Sequence, residues 1–154
     1  MSSLSFRPII PNPALIIEED NERILVLADL HIGWEVSLSE KGIHIPSQTP
    51  RIQARLLQII EKYKPTKIIF LGDIKQAIPT ISWEEWKNVP EFLEKAQKLV
   101  SDISIIVGNH DGCLERITPH SVKIFPPGGL VLGNEKRVGL FHGHAWPSQE
   151  VLGC

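Results

Sequence analysis

The chain has 154 residues, with 16 Lys and Arg against 18 Asp and Glu, and a formal net charge of −2. This length suits one domain, and the balanced charge argues against the broad basic surface of a general nucleic-acid or membrane binder. It leaves open a phosphate substrate, because metal ions can supply positive charge locally. Two cysteines without metal-type spacing, Cys113 and Cys154, predict a reducing compartment.

The N-terminal segment and the first apolar runs come next in chain order. Residues 1–17 (MSSLSFRPIIPNPALII) have neither the basic start nor the unbroken apolar core of a signal peptide. No apolar run approaches the ~18 residues of a membrane span, so the sequence predicts a cytoplasmic protein. Residues 14–31 (ALIIEEDNERILVLADLH) predict a hairpin of two strands that turns over residues 19–22.

The middle of the chain alternates predicted helices and strands. Short runs rich in Ile and Val predict buried strands at KIIFLG (67–72), ISIIVG (103–108) and RVGLFHG (137–143). Thr49 is the predicted cap of one helix, with Pro50 in its first turn. Ser82 and Glu85 have the capping-box spacing of a second helix, which we expect Pro90 to restart.

This order of elements predicts the fold class. Strands separated by helices favour right-handed crossovers and a parallel sheet. In the last third, Gly- and Pro-rich stretches separate short alternating runs, which is typical of antiparallel strands. The sequence therefore predicts an α/β fold with a β-rich C-terminal third.

Polar side chains follow four of the apolar runs. They are Asp29 and His31 after ILVLA, Asp73 after IIFLG, Asn109, His110 and Asp111 after IIVG, and His142 and His144 after VGLF. Because the carboxyl ends of parallel strands meet at one edge of a sheet, we expect these side chains to converge. Their mixture of oxygen and nitrogen donors suits Mn, Fe, Zn, Co or Ni better than calcium or structural zinc. Asp73, alone on its strand end, is placed to bridge two ions ~3.5–4 Å apart, as in phosphate-ester hydrolysis.

The same motifs carry a family resemblance over residues 14–148, nearly the whole chain. The order D-x-H, G-D, G-N-H-D and a later H resembles the calcineurin-like metallophosphoesterase superfamily, and the strings ADLHIGWE, LGDIK, GNHDG and HGHAWP are similar to its SbcD-related branch. The resemblance implies a four-layer α/β sandwich with two divalent transition-metal ions, Mn first among them. It also implies hydrolysis of a phosphate mono- or diester, nucleotides and nucleic acids included, by a hydroxide activated between the ions.

The resemblance also implies roles for individual residues. The implied metal ligands are Asp29, His31, Asp73, Asn109 and His142, with Asp29 and His31 on the first ion, Asp73 bridging, and Asn109 and His142 on the second. His110 corresponds to a general acid or phosphate-stabilising group, oriented by Asp111. A histidine held by a carboxylate is a suitable proton donor to a leaving alkoxide. His144 is expected near the substrate.

One family motif has no match. The final G-H-x-H cannot be aligned with HGHAW without placing Trp146 at its last histidine. We therefore expect one metallophosphoesterase domain over residues 1–154, with the last strand and the last metal motif missing and each ion short of one histidine. The unpaired sheet edge would favour an edge-mediated dimer, and the lost ligands would weaken metal binding.

Two other functions remain open from the sequence. One is a catalytically impaired relic that binds metal weakly and has a binding or regulatory role. The other is a nucleic-acid-processing partner, in which Arg51 and Arg55 contact a phosphate backbone. The net charge does not favour this second alternative, and the two arginines are equally consistent with a solvated helix face.

Overall fold

A computed structural model describes residues 4–133 and 136–154. The strands are β1 (Leu4–Pro8), β2 (Ala14–Glu19), β3 (Glu22–Leu27), β4 (Lys67–Leu71), β5 (Asp102–Ile106), β6 (Lys123–Phe125), β7 (Leu130–Leu132) and β8 (Val138–Leu140). The helices are α1 (Trp34–Ser39), α2 (Thr49–Tyr63), α3 (Trp83–Gln97) and α4 (Gln149–Leu152), with a 3-10 turn at Leu114–Arg116. Within these described ranges, every helix is too short or too polar to cross a bilayer.

Six strands form the main sheet in their sequence order, β1 to β6. The antiparallel pairing of β2 with β3 confirms the predicted hairpin, and β3, β4 and β5 pair parallel, as predicted. The expectation of antiparallel strands in the last third holds for β7 and β8 but is wrong for β6, which pairs parallel to β5. The reason is that residues 107–122 return the chain to the other end of the sheet before β6 begins.

Two apolar cores lie on opposite faces of this sheet. Helices α2 and α3 cover one face, where Leu56 and Phe92 pack with Phe70 of β4. On the other face, residues of β2 to β5 pack with Leu140 of β8 and with neighbouring side chains of β7. Because α2 and α3 both cover the same face, the two crossovers fit the single handedness expected for parallel strands.

A fourth layer lies outside β7 and β8. Side chains alternate along a strand, so Gly139 faces away from the core that Leu140 enters. A Cβ at Gly139 would lie 2.7 Å from Val151 Cγ1 of α4, so α4 packs on that outer face. The order of helices, large sheet, small sheet and short helix confirms the expected four-layer α/β sandwich, in which the two-stranded sheet and α4 are both small layers.

The helix starts were predicted with mixed success. The capping box of Ser82 and Glu85 is confirmed at the start of α3. The predicted Thr49 cap is wrong, because Gln48 occupies the N-cap position and makes no side-chain cap bond. Glu35 of α1 takes that role from outside the helix, since its Oε1 accepts a hydrogen bond from the Gln48 backbone N at 3.2 Å.

The prediction that Pro90 restarts the second helix is also wrong. Helix α3 is continuous, with Pro90 inside it. A proline in a helix interior costs ~3 kcal/mol because it removes one backbone hydrogen bond. Burial of a large apolar side chain contributes ~1.5–3 kcal/mol, and Val89, Phe92 and Leu93 of this helix are almost fully buried. Their combined contribution exceeds the penalty, so the helix continues through the proline.

Candidate metal centre

The loops that follow β3 and β4 run side by side beyond the ends of their strands. The Asp29 backbone N donates to the Gly72 carbonyl at 3.1 Å, and the His31 backbone N donates to the Asp73 carbonyl at 2.9 Å. This pairing extends the parallel ladder past the sheet edge. It fixes the segment that carries Asp29 and His31 against the segment that carries Asp73.

Three of the predicted ligands adopt a left-handed backbone conformation. The φ angles of Asp29, His31 and Asp73 are 57°, 47° and 55°. This conformation costs a residue with a side chain ~1–2 kcal/mol, and such strain concentrates at functional sites. The hydrogen bonds between the two loops hold the strained residues in place. Of the six non-glycine residues with positive φ in the described ranges, three therefore lie together at these strand ends.

Asp73 lies at the centre of the cluster. Its side chain is 6% exposed, and its Oδ2 lies 3.4 Å from His142 Nε2 and 3.7 Å from His31 Nε2. The Asp29 Oδ1 lies 3.8 Å from His31 Nε2. The two longer separations exceed hydrogen-bond length, and none of these pairs forms a normal hydrogen bond. Metal–ligand bonds of ~2.0–2.2 Å place neighbouring donor atoms ~3–3.5 Å apart, so the 3.4 Å separation suits a shared ion and the others need only a small closure.

Two sets of potential metal ligands share Asp73. One set comprises His31, Asp73 and His110, and the other comprises Asp29, Asp73 and His142, with the donor atoms of each set within 4.8 Å of one another. A buried carboxylate common to two sets has the placement needed to bridge two ions. Four strand-end segments thus contribute to one cluster: three follow parallel strands of the main sheet, as expected from its topology, and the fourth, with His142, follows β8 of the second sheet.

The tautomer of His142 suits metal binding. Its Nδ1 lies 2.7 Å from the carbonyl oxygen of Leu71. Because a carbonyl oxygen only accepts, Nδ1 carries the proton and the neutral ring presents its lone pair at Nε2, toward Asp73. A backbone carbonyl on the far nitrogen is the usual arrangement of a metal-binding histidine. Donor type, tautomer and spacing all fit a transition-metal ion at this position.

His110 is held in a comparable way. Its Nδ1 lies 2.6 Å from the Gln76 carbonyl oxygen, and its backbone N donates to Asp73 Oδ1 at 2.8 Å. The carbonyl keeps Nδ1 protonated, so Nε2 is the atom that can exchange a proton or bind an ion. The His110 ring also contacts His31 edge to face, with 4.8 Å between ring centroids.

The prediction that Asp111 orients the His110 ring is wrong. The Asp111 carboxylate is buried and accepts backbone N–H bonds from Gly108 and Asp73 at 2.8 Å and from Ile74 at 2.9 Å. The left-handed turn at Asp73 directs successive N–H groups to one point, which attracts an anion. Asp111 therefore ties the loop after β4 to the loop after β5, and Gln76 orients the histidine.

Two other predicted residues are more exposed. Asn109 follows β5 in the same loop as His110, and its side chain is exposed. His144 is exposed beside His142, with 5.3 Å between the ring centroids. Asn109 directly precedes His110, and His144 lies two residues after His142. Their roles as metal ligand and substrate contact stay predictions.

Sequence reasoning did not assign two buried charges that support the site. Lys75 and Glu85 are both fully buried. Lys75 Nζ donates to the Thr80 carbonyl at 2.9 Å, and Glu85 Oε1 accepts from the Gln76 backbone N at 2.8 Å. Together they fix the loop whose Gln76 carbonyl holds His110. The capping-box spacing identified Glu85 only as a helix cap, and the string LGDIK carried Lys75 without a role.

Gly72 allows the close approach of His142 to the cluster, and its substitution is a direct test. A Cβ at Gly72 would lie 2.6 Å from His142 Cγ and 2.9 Å from Gly108 Cα, whereas a Cβ at Gly42 would meet nothing within 4 Å. The φ angles of the two glycines are 84° and 82°, so alanine adds similar backbone strain at both. We expect Gly72→Ala to displace the imidazole and weaken Mn²⁺ binding at least ~10-fold.

The measurement is a calorimetric Mn²⁺ titration of Gly72→Ala and Gly42→Ala, with thermal unfolding of both proteins in EDTA. Gly42→Ala should bind Mn²⁺ like the wild type. Equal Mn²⁺ affinity in the two variants would show that His142 contributes nothing to metal binding.

Comparisons with known proteins agree with this geometry. A family model described as calcineurin-like phosphoesterase matches residues 22–152. No curated protein sequence matches the chain. Nuclease MPE from Pseudomonas putida has a similar structure, with a TM-score of 0.52 at 22% identity over 82% of this chain and 62% of that one. YfcE, a phosphoesterase from E. coli, gives 0.51 at 18% identity over 79% and 57%. At these low identities, the structural similarity shows a shared fold. The chain spans less than two thirds of either structure.

Proposed function

This chain belongs to the calcineurin-like phosphoesterase family, and we propose that it hydrolyses phosphate esters with two divalent metal ions held around Asp73. The observation that carries the proposal is the buried Asp73 carboxylate, which is common to two sets of metal ligands. The residues of the cluster and those that support it come from one α/β domain.

The proposed ligands are those that the family resemblance implies, and they divide the cluster differently from the two sets of neighbouring donor atoms, in which Asp29 lies with His142 and His31 with His110. Asp29, His31 and Asp73 would hold the first ion, and Asp73, Asn109 and His142 the second. When bound, such ions act as Lewis acids and neutralise charge on phosphoryl oxygens. The mixed carboxylate, imidazole and amide set favours Mn, with Fe, Zn, Co and Ni as alternatives.

His110 is the proposed proton donor to the leaving group. Its Nδ1 is fixed by the Gln76 carbonyl, so Nε2 is free to give a proton to a leaving alkoxide. The hydrogen bond from its backbone N to Asp73 supports this role, because it holds His110 next to the proposed metal site. His144, exposed next to His142, is the proposed contact to the substrate.

Both phosphate monoesters and diesters fit this core. One structurally similar protein is a nuclease and the other a phosphoesterase. The metal cluster is the part that either reaction would need. The choice between them depends on the surfaces around the cluster.

The proposal is tested by metal-dependent turnover. We expect the protein to hydrolyse bis(p-nitrophenyl) phosphate or p-nitrophenyl phosphate with Mn²⁺, and the rate to fall to background in EDTA and return when Mn²⁺ is restored. A rate that is unaffected by EDTA would exclude the proposed metal chemistry. Mn²⁺ binding by calorimetry without any turnover would favour a relic that binds metal but does not catalyse.

A further inference from the structure

A cavity of about 300 Å³ opens between the end of β3 and the first half of α2. Its buried walls are apolar and come from both sides of the core, with Leu27, Leu56, Phe70 and Phe92 among them. Cavities of roughly 300–1,000 Å³ with apolar walls and few polar groups are typical of small-molecule sites. An apolar cavity of ~150 Å³ is already large enough to bind benzene. This cavity can therefore hold at least one six-membered ring.

Two arginines lie at the open side of this cavity. Arg51 and Arg55 both line it, and both are exposed. They are four residues apart on α2, so they project from the same helix face. Among the residues that the structure describes, neither arginine forms a salt bridge with a carboxylate. Two free guanidinium groups beside an apolar cavity suit a ligand with an apolar body and an anionic end.

The cavity also adjoins the candidate metal centre. Asp29 lines the cavity and belongs to the ligand set that it forms with Asp73 and His142. A phosphate group held at the metal cluster beside Asp29 would therefore lie next to the same cavity that the two arginines line. An organic substituent on that phosphate would reach the apolar walls.

We propose that this cavity binds the organic substituent of the phosphate ester and selects a compact aromatic ring, while Arg51 and Arg55 bind anionic phosphate oxygens. The proposal rests on the proposed function, because it places the reacting phosphate at the metal cluster. It identifies the substrate class as phosphate esters with an aromatic substituent, either a simple aryl group or a nucleobase.

Binding of non-hydrolysable phosphonates tests the cavity without requiring turnover. Phenylphosphonate and methylphosphonate differ only by the ring, and their affinities are measured by calorimetry with Mn²⁺ and again in EDTA. We expect phenylphosphonate to bind at least ~10-fold more tightly, because the ring buries apolar surface. This preference should persist in EDTA. If turnover is absent but the preference remains, the proposed function fails and the cavity assignment stands.

Variants locate the binding. Ile52 is half-buried and lines the cavity, so Ile52→Trp should fill it and abolish the preference for phenylphosphonate. The double change Arg51→Gln and Arg55→Gln should weaken both phosphonates by ~10-fold. Lys62→Gln removes the same kind of charge from α2 outside the cavity and should change neither affinity. Thermal unfolding checks that each variant is folded.

A second pair of ligands, uridine monophosphate and ribose phosphate, shows whether the bound ring is a nucleobase or a simple aryl group. Tighter binding of uridine monophosphate than of ribose phosphate supports a nucleobase, and a preference confined to phenylphosphonate supports a simple aryl group. Equal affinity of the wild type for phenylphosphonate and methylphosphonate overturns the proposal. The proposal is also overturned if Lys62→Gln weakens phosphonate binding as much as the double arginine variant does.

Discussion

Asp73→Asn should lower the Mn²⁺-dependent rate of phosphate ester hydrolysis at least ~100-fold, because loss of a mere supporting partner already costs 10–100-fold. The substitution keeps the shape of the side chain but removes its negative charge. The Asp73 Oδ2 is the oxygen that lies near both His31 and His142, and a neutral amide at that position would be a much weaker ligand than a carboxylate for either ion. Both proposed ions should therefore bind weakly, and calorimetry should show reduced Mn²⁺ stoichiometry along with the lost rate.

The matched control is Asp20→Asn. Asp20 lies in the turn between β2 and β3 and also has a left-handed backbone, with φ 49° against 55° at Asp73. The same chemical change in the same backbone conformation should leave the rate and Mn²⁺ binding at wild-type values. Equal hydrolysis rates in wild type and Asp73→Asn would contradict the bridging role. Urea unfolding of both variants in EDTA separates an effect on metal binding from an effect on folding.

Asp111→Asn should destabilise the fold by ~2–4 kcal/mol, because buried backbone donors lose a charged acceptor. The Asp111 Oδ2 accepts from Gly108 and Asp73, and its Oδ1 accepts from Ile74. An asparagine amide would point its NH₂ group at a backbone N–H in either orientation. At least one buried donor would then be unsatisfied, and the tie between the loops after β4 and β5 would weaken.

The free energy of unfolding in urea, measured in EDTA, provides the readout. Glu115→Gln is the control, since Glu115 is exposed in the same segment and its substitution should change stability by less than ~0.5 kcal/mol. If Asp111 instead acted only by orienting His110, Asp111→Asn would lower the hydrolysis rate and leave the unfolding midpoint unchanged. That outcome would contradict the structural role.

The convergence of the site's side chains at one edge of the sheet could be predicted from the sequence, because one rule of sheet geometry decides it. Asp29, Asp73 and His110 each follow a strand of one parallel set, so their loops emerge at the same edge. The alternation of short Ile-rich runs with amphipathic helices was enough to predict that set. The same rule predicts that His142 joins them, but His142 follows β8, which belongs to the second sheet, so the rule names the right residue without giving the reason for its position.

The orientation of individual side chains could not be predicted in the same way. The string GNHD places Asp111 beside His110 in sequence, but the carboxylate faces a group of backbone N–H donors that exists only because Asp73 adopts a left-handed turn. The partner of His110 is a backbone carbonyl, at Gln76, which a motif of side chains does not reveal. Backbone donors and acceptors carry no sequence signature.

Tertiary packing also overrides local signals in the helices. Pro90 remains inside α3 because the apolar face of that helix is buried against the sheet. Thr49 does not cap α2, because Gln48 stands at the N-cap position, and the backbone N of Gln48 donates to Glu35 of α1. In α3 the decisive interaction is the burial of one helix face against the sheet, and a local sequence pattern does not report such a tertiary contact.

Anomalous diffraction from crystals grown with Mn²⁺ tests the metal centre most directly. We expect two anomalous peaks ~3.5–4 Å apart with the Asp73 carboxylate between them, one beside Asp29 and His31 and the other beside His142. No peak at the cluster in fully loaded crystals, or a single peak that Asp73 does not contact, would contradict the two-ion centre on which the proposed hydrolysis depends.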